Sequence, residues 1–205
     1  MNKQKKKIIT NFLKTFTEDN NIDSVEINII YKVIPFEKIE EYNNKWLAIN
    51  FVAPVNNNTR RNKDDDIKKK NYFAIDLDLR EEERKKTGKI ISDEKIIEIA
   101  NELKDSFKWK FAKWRYIVFS GNGLHIYYTF NFLKIEKTTY KEEVKKIYQQ
   151  FEKEYWYKVD FSAWHISRTM RLPETINWKR KERYWLKPKK CFILYKQDVK
   201  SEFLR

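Results

Sequence analysis

The sequence predicts a mixed α/β chain of the α+β type, with mainly antiparallel strands. Three observations predict it. Helical and strand-like periodicities intermingle along the 205 residues, an Asn-Gly pair joins two apolar β-runs, and 14 Phe, 12 Tyr and 7 Trp supply a core despite 36% charged residues. No repeat and no Gly/Ser- or Pro-rich linker divides the chain, so a single domain spanning 1–205 is expected.

In chain order, Lys3 to Phe16 carries Ile8, Ile9, Phe12, Leu13 and Phe16 at i, i+3/i+4 spacing, which predicts an amphipathic helix behind a basic end. Strand-like runs follow at Val25–Val33, Trp46–Val52 and Tyr72–Leu79. Between the last two, Asn56–Lys70 is polar and charged throughout and reads as a long loop. Ser92 is a good N-cap for a second helix, with Asp93 and Glu94 in its first turn and Ile96, Ile97, Ile99, Ala100 and Leu103 behind them. Strands at Tyr116–Ser120 and Leu124–Phe130 precede a third helix over about Tyr140–Tyr157, and a last strand is expected at Cys191–Tyr195.

Composition narrows the class of function. With 3 Gly, 4 Pro and 1 Cys the chain is neither collagenous nor stapled by an internal disulfide. The start MNKQKKKIIT lacks the apolar stretch of a signal peptide, and no apolar run is long enough to cross a bilayer, so no membrane partner and a cytoplasmic protein are expected. The net charge is +14 and unevenly placed: Phe161–Arg205 holds 12 Lys or Arg against 4 Asp or Glu. Diffuse lysines only keep a surface soluble, whereas clustered ones point to a polyanion.

Three segments carry candidate chemistry. In Tyr72–Arg80 the alternation of a strand sends Phe73, Ile75, Leu77 and Leu79 to the core and Asp76, Asp78 and Arg80 to the other face. Two carboxylates about 7 Å apart along a strand suit hard divalent cations such as Mg²⁺ or Mn²⁺. Taken alone, Asp-x-Asp is also common on solvated strands and in sugar-nucleotide transferases. In Phe119–Tyr127, Ser120-Gly121-Asn122-Gly123 reads as a tight Asn-Gly hairpin, and His125 shares a face with Tyr127 and Thr129. A histidine there can donate to a phosphate; its bland alternative is a half-buried core histidine. The third segment places Asp160 between apolar neighbours, as a strand would, then Arg168 and Arg171 at i, i+3, then Asn177 and Lys179. Beyond it, Arg180, Lys181, Arg183, Lys187, Lys189 and Lys190 interleave with Trp178, Tyr184 and Trp185, the cations and flat rings that single-stranded nucleic acid requires. Alternatively these form a solvated basic edge with the rings turned inward.

In order, Asp-x-Asp, Ser-Gly-x-Gly-x-His, Asp and Arg-x-x-Arg-Leu-Pro-x-Thr-x-Asn-x-Lys resemble the archaeo-eukaryotic primase superfamily over about Tyr72–Lys179. The pattern is most similar to primase-polymerase domains of plasmids, viruses and mobile elements. The resemblance implies that Asp76, Asp78 and Asp160 hold two Mg²⁺ or Mn²⁺ ions, and that Ser120, His125, Arg168, Arg171, Asn177 and Lys179 surround the nucleotide. Arg60 and Arg61 are candidate phosphate contacts from the preceding loop. It further implies a small N-terminal lobe (1–70) packed on a catalytic core (71–180) whose sheet resembles an RNA-recognition motif, followed by a basic segment (181–205). Single-stranded DNA and nucleoside triphosphates would be the substrates, and a helicase or other replication protein a partner. Glu174 departs from the pattern, since many relatives have glycine after the proline.

Other classes fit less of the chain. An inactive single-stranded nucleic-acid-binding module would use the same basic face without catalysis. A rolling-circle nicking enzyme needs paired metal-binding histidines, and His125-Ile126-Tyr127 supplies one. A sugar transferase leaves the basic, aromatic cluster unused. One Cys and two His cannot build a four-ligand zinc site within one chain, so no zinc is expected.

Overall fold

The computed structural model describes residues 3–15, 24–27, 32–35, 47–48, 51–52, 67–69, 72–106, 114–129, 137–165 and 170–197. Helix α1 (Lys3–Lys14) comes first. Strands β1 (Ser24–Ile27), β2 (Lys32–Pro35), β3 (Leu47–Ala48), β4 (Phe51–Val52) and β5 (Ile67–Lys69) follow. The single run expected over Val25–Val33 is thus two antiparallel strands, with Ser24 opposite Pro35 and Ile27 opposite Lys32. Part of the expected loop, β5, pairs with β4.

The core is a four-stranded antiparallel sheet of β6 (Tyr72–Leu77), β7 (Trp114–Phe119), β8 (Leu124–Thr129) and β11 (Phe192–Lys196), in the order β11-β7-β8-β6. Helices α2 (Leu79–Thr87) and α3 (Asp93–Ser106) link β6 to β7, and α4 (Lys137–Tyr155) follows β8. Each crossover skips one strand, a split β-α-β connection. Ser92 caps α3 as expected, its Oγ accepting from the Lys95 amide at 3.2 Å.

Alternation assigns the faces of the sheet. Phe73, Ile75, Leu77, Ile117, Phe119, Leu124, Ile126 and Tyr128 meet Ile96, Ile99, Ala100 and Leu103 of α3 and Tyr140, Val144, Tyr148 and Phe151 of α4. Full burial of each large apolar side chain contributes about 1.5–3 kcal/mol, more than the differences in helix propensity among these residues, which are below about 1 kcal/mol each. Phe73 stacks on Tyr128 with centroids 4.7 Å apart. The opposite face meets α1: Phe12 packs against Tyr116 and Tyr127 at 4.8 and 5.0 Å, and Thr15 Oγ1 shares a hydrogen bond with the Tyr116 hydroxyl at 2.9 Å.

The expected strand Tyr72–Leu79 ends at Leu77, and α2 starts two residues later. Asp78 takes the N-cap position, Glu81 and Glu82 lie in the first turn, Arg84, Lys85 and Lys86 in the last, and Gly88 closes the helix at φ 72. These are strong helix signals, and they overrule a two-residue extension of the strand alternation. Arg80 therefore lies on a helix and is buried.

The hairpin turn also differs from expectation. An Asn-Gly type I′ turn needs positive φ at both residues, but here Gly121 alone takes it, at φ 96, within a four-residue turn over 120–123. Gly123 is required by space instead: a Cβ there would lie 1.7 Å from the Leu77 carbonyl oxygen. The turn is pinned to the end of β6, and the Asn122 carbonyl accepts the Arg80 amide at 3.0 Å.

After α4 come a 3-10 turn (Phe161–Trp164), the two-residue strands β9 (Ile176–Asn177) and β10 (Lys189–Lys190), which pair, and α5 (Lys179–Tyr184) between them. Among the described residues no helix is long and apolar enough to cross a membrane.

Candidate functional site

Strand register builds the site. Asp76 on β6 lies directly opposite His125 on β8, and His125 Nε2 is 3.5 Å from Asp76 Oδ1. Both point to the α1 side of the sheet with Tyr127, whose hydroxyl is 3.4 Å from His125 Nδ1 and donates to the Arg171 carbonyl at 3.4 Å. Burial, reinforced by the negative charge of Asp76, raises the Tyr127 pKa well above its ordinary value, so the phenol stays protonated. Burial lowers Arg171 to about 10, against the raising influence of Cys191 and Asp76. At neutral pH it is still a cation, anchored by donation from Nη1 to the Ile176 carbonyl at 3.0 Å.

Asp160 reaches the same place from 84 residues downstream. It donates its amide to the Asp76 carbonyl at 2.8 Å, on the outer side of the edge strand β6. It is not in a strand ladder as expected. Its backbone is extended at φ −71, ψ 95, and its Oδ1 caps the 3-10 turn by accepting from the Ser162 amide at 2.9 Å.

Asp78 leaves the strand at φ −84, ψ 65 and so does not project in parallel with Asp76. Its Oδ2 lies 3.8 Å from Arg183 Nη1, while its Oδ1 is buried without a hydrogen-bond partner. Desolvation raises the Asp78 pKa, opposed by the Glu81 amide and Arg183. Among the described residues no three His, Cys, Asp or Glu side chains converge closely enough to hold a metal ion.

The remaining predicted residues divide into buried supports and exposed cations. Ser120 offers its carbonyl to Asn177 Nδ2 at 2.7 Å and to the Cys191 thiol at 3.1 Å, and Asn177 Oδ1 accepts the Lys179 amide at 3.1 Å. Asn177 thereby ties the hairpin turn to the start of α5. Arg180 is buried, donating to the Gly121 and Lys187 carbonyls and to Asp93. Lys189 Nζ binds Asp93 at 2.7 Å, and Lys190 Nζ binds Glu174 at 2.9 Å. Lys179, Lys181, Arg183 and Lys187 face solvent. So do Trp178 at 50% and Trp185 at 91% exposure, whereas Tyr184 is buried with its hydroxyl on Glu81 Oε2 at 3.0 Å. Arg60, Arg61 and Arg168 lie outside the described residues.

Sequence reasoning missed two groups. The sequence marks Tyr127 as a face-mate of His125, and a spacing of two on a strand is signal enough for a shared site. Asp93, read as a first-turn acid, is the shared counter-ion of Arg80, Arg180 and Lys189. Burial pushes its carboxyl up, but hydrogen bonds and charge from Arg180 and Lys189 reverse this and hold it at about 2.

Comparison with protein-family models, with curated proteins and with solved structures finds no match to this chain.

Proposed function

We propose that this chain is a template-directed nucleotidyltransferase, a DNA primase or primase-polymerase, acting on single-stranded DNA. The observation that carries the reading is the meeting of Asp76, His125 and Asp160 at one end of β6, from three separated segments, through a 3.5 Å side-chain approach and a 2.8 Å backbone hydrogen bond.

The residues fit a hard divalent cation. Mg²⁺ is commonly held by one or two carboxylates, with water and phosphate completing its shell. Asp78 Oδ1, buried and lacking a donor, is an atom a cation would satisfy. Asp76 and Asp78 would hold Mg²⁺ or Mn²⁺, and Asp160 would join them only by turning its carboxylate from the Ser162 amide. Bound there, such ions lower the pKa of a 3′-hydroxyl and neutralise a leaving pyrophosphate. His125 and the buried Arg171 cation supply donors and positive charge toward a triphosphate, so the protein's own contribution is positioning and fixed electrostatics. Lys179, Lys181, Arg183, Trp178 and Trp185 present cations and rings to the template strand.

A second reading, a binding module without catalysis, is favoured by a different observation: the Asp160 carboxylate is occupied by the Ser162 amide, and that of Asp78 lies beside Arg183. One experiment separates the two. The chain is incubated with unprimed single-stranded DNA, ribo- and deoxynucleoside triphosphates and Mg²⁺ or Mn²⁺, and labelled products are resolved by length. Metal-dependent products are expected, falling by at least about 100-fold in Asp76→Asn while DNA binding stays within about twofold. DNA binding without any product would leave the binding module, and undiminished synthesis by an Asp76→Asn/Asp78→Asn double variant would remove the metal site.

A further inference from the structure

A groove of ≈ 750 Å³ opens between the first two turns of α1 and the β9–β10 pair, and neither Asp76 nor His125 is among its lining residues. Gln4, Lys5 and Ile8 line one wall, and Trp178, Lys187 and Lys190 are on the other. Its volume is within the range of pockets that hold a compact organic ligand, about 300–1,000 Å³, yet its walls are cationic. Among the described residues Glu174 is the one acid lining it, and it is bound to Lys190 at 2.9 Å. With Lys5, Lys187 and Lys190 against Glu174, the lining carries a net positive charge. Burial, the leading influence on Lys5, lowers its pKa; Glu174 opposes the shift and Lys190 adds to it.

We propose that this groove binds one to two nucleotides of single-stranded DNA, with a base stacked on Trp178 and the flanking phosphates on Lys5 and Lys187. Trp178 is half-exposed and directly precedes α5, whose solvent-facing Lys181 and Arg183 continue the basic track toward Asp78. A flat ring flanked by cations is the arrangement that single strands recognise without regard to sequence. The inference rests on the nucleic-acid reading above and adds to it a DNA contact from α1, which no basic cluster of the C-terminal third supplies.

The test measures anisotropy of a labelled dT oligonucleotide at low salt with the full chain. Lys5→Glu/Lys187→Glu and, separately, Trp178→Ala are each expected to weaken binding about tenfold. Lys89→Glu/Lys153→Glu, two exposed lysines elsewhere, makes the same total charge change and is expected to stay within about twofold. Ultraviolet cross-linking to a 5-iododeoxyuridine strand should mark the tryptic peptide Leu172–Lys179, which contains Trp178. Equal losses in groove and control variants, or wild-type affinity in the groove variants, would overturn the groove. Metal-dependent incorporation by the wild-type chain, assayed in parallel, keeps the two readings apart: synthesis with an unaffected groove variant rejects the groove alone, and no DNA binding by the wild type rejects both.

Discussion

Glu174 has φ 68, in the left-handed region, where a side chain crowds the following carbonyl at a cost of about 1–2 kcal/mol and glycine has no such cost. The turn is held there by the Glu174 amide on the Cys191 carbonyl at 2.8 Å and by the ion pair to Lys190. Comparing Glu174→Gly with Glu174→Ala isolates the backbone contribution, since both lose the same ion pair. The glycine variant is expected to be more stable than the alanine variant by about 1 kcal/mol in denaturant unfolding, after allowing for glycine's greater freedom when unfolded. Equal stability would mean that the backbone relaxes away from φ 68. At this scale the sequence was readable where a residue's neighbours along the chain decide its role. Ser92 as a cap and the shared face of His125 and Tyr127 are examples. Asp78 was misread because strand alternation carries no mark of where it stops.

Among the elements, α2, α3, α5 and β10 are joined by one carboxylate. Asp93 receives Arg80 Nη2 at 2.5 Å, Arg180 Nη1 at 2.8 Å and Lys189 Nζ at 2.7 Å. With the folded-state pKa held at about 2, below the ordinary value, its contribution is complete above about pH 4 and is lost as pH falls toward 2. The shift corresponds to about 2 kcal/mol. Unfolding free energies at pH 6 and pH 2.5 should therefore fall by about that much more in the wild type than in Asp93→Asn. At pH 6 that variant should already be weaker by about 3–5 kcal/mol, because two buried guanidinium groups lose their counter-ion. Parallel pH curves for the two proteins would contradict the assignment. The three long helices and all four strands of the main sheet were legible from periodicity, to within a few residues. Helices α2 and α5 were not: α2 directly follows a strand, and α5 is six charged and aromatic residues with no apolar stripe.

For the whole molecule, charge and burial divide the basic C-terminal third into two populations that composition cannot separate. Arg180 is spent on the fold, Lys189 and Lys190 are paired with acids, and Lys181, Arg183 and Lys187 face solvent. With the lysines of α1 this leaves roughly four to six cations for phosphates, so log affinity for single-stranded DNA should fall with log salt at a slope of about −3 to −4. A slope shallower than about −1 in a salt titration would show that the +14 net charge acts only as a diffuse field. The gathering of Asp76, His125 and Asp160 was inferable only as a pattern of motifs, because pairing between distant segments is decided by register and not by local preference.

Cys191 sits beneath the hairpin turn, fully buried, with its thiol on the Ser120 carbonyl and its pKa pushed by burial to about 12. Nucleophilic attack by sulfur needs both the thiolate and a path for the reagent, and here neither is on offer. While folded, the chain presents no reactive sulfhydryl, so electrophiles and mild oxidants meet a surface on which they have nothing to modify at this residue.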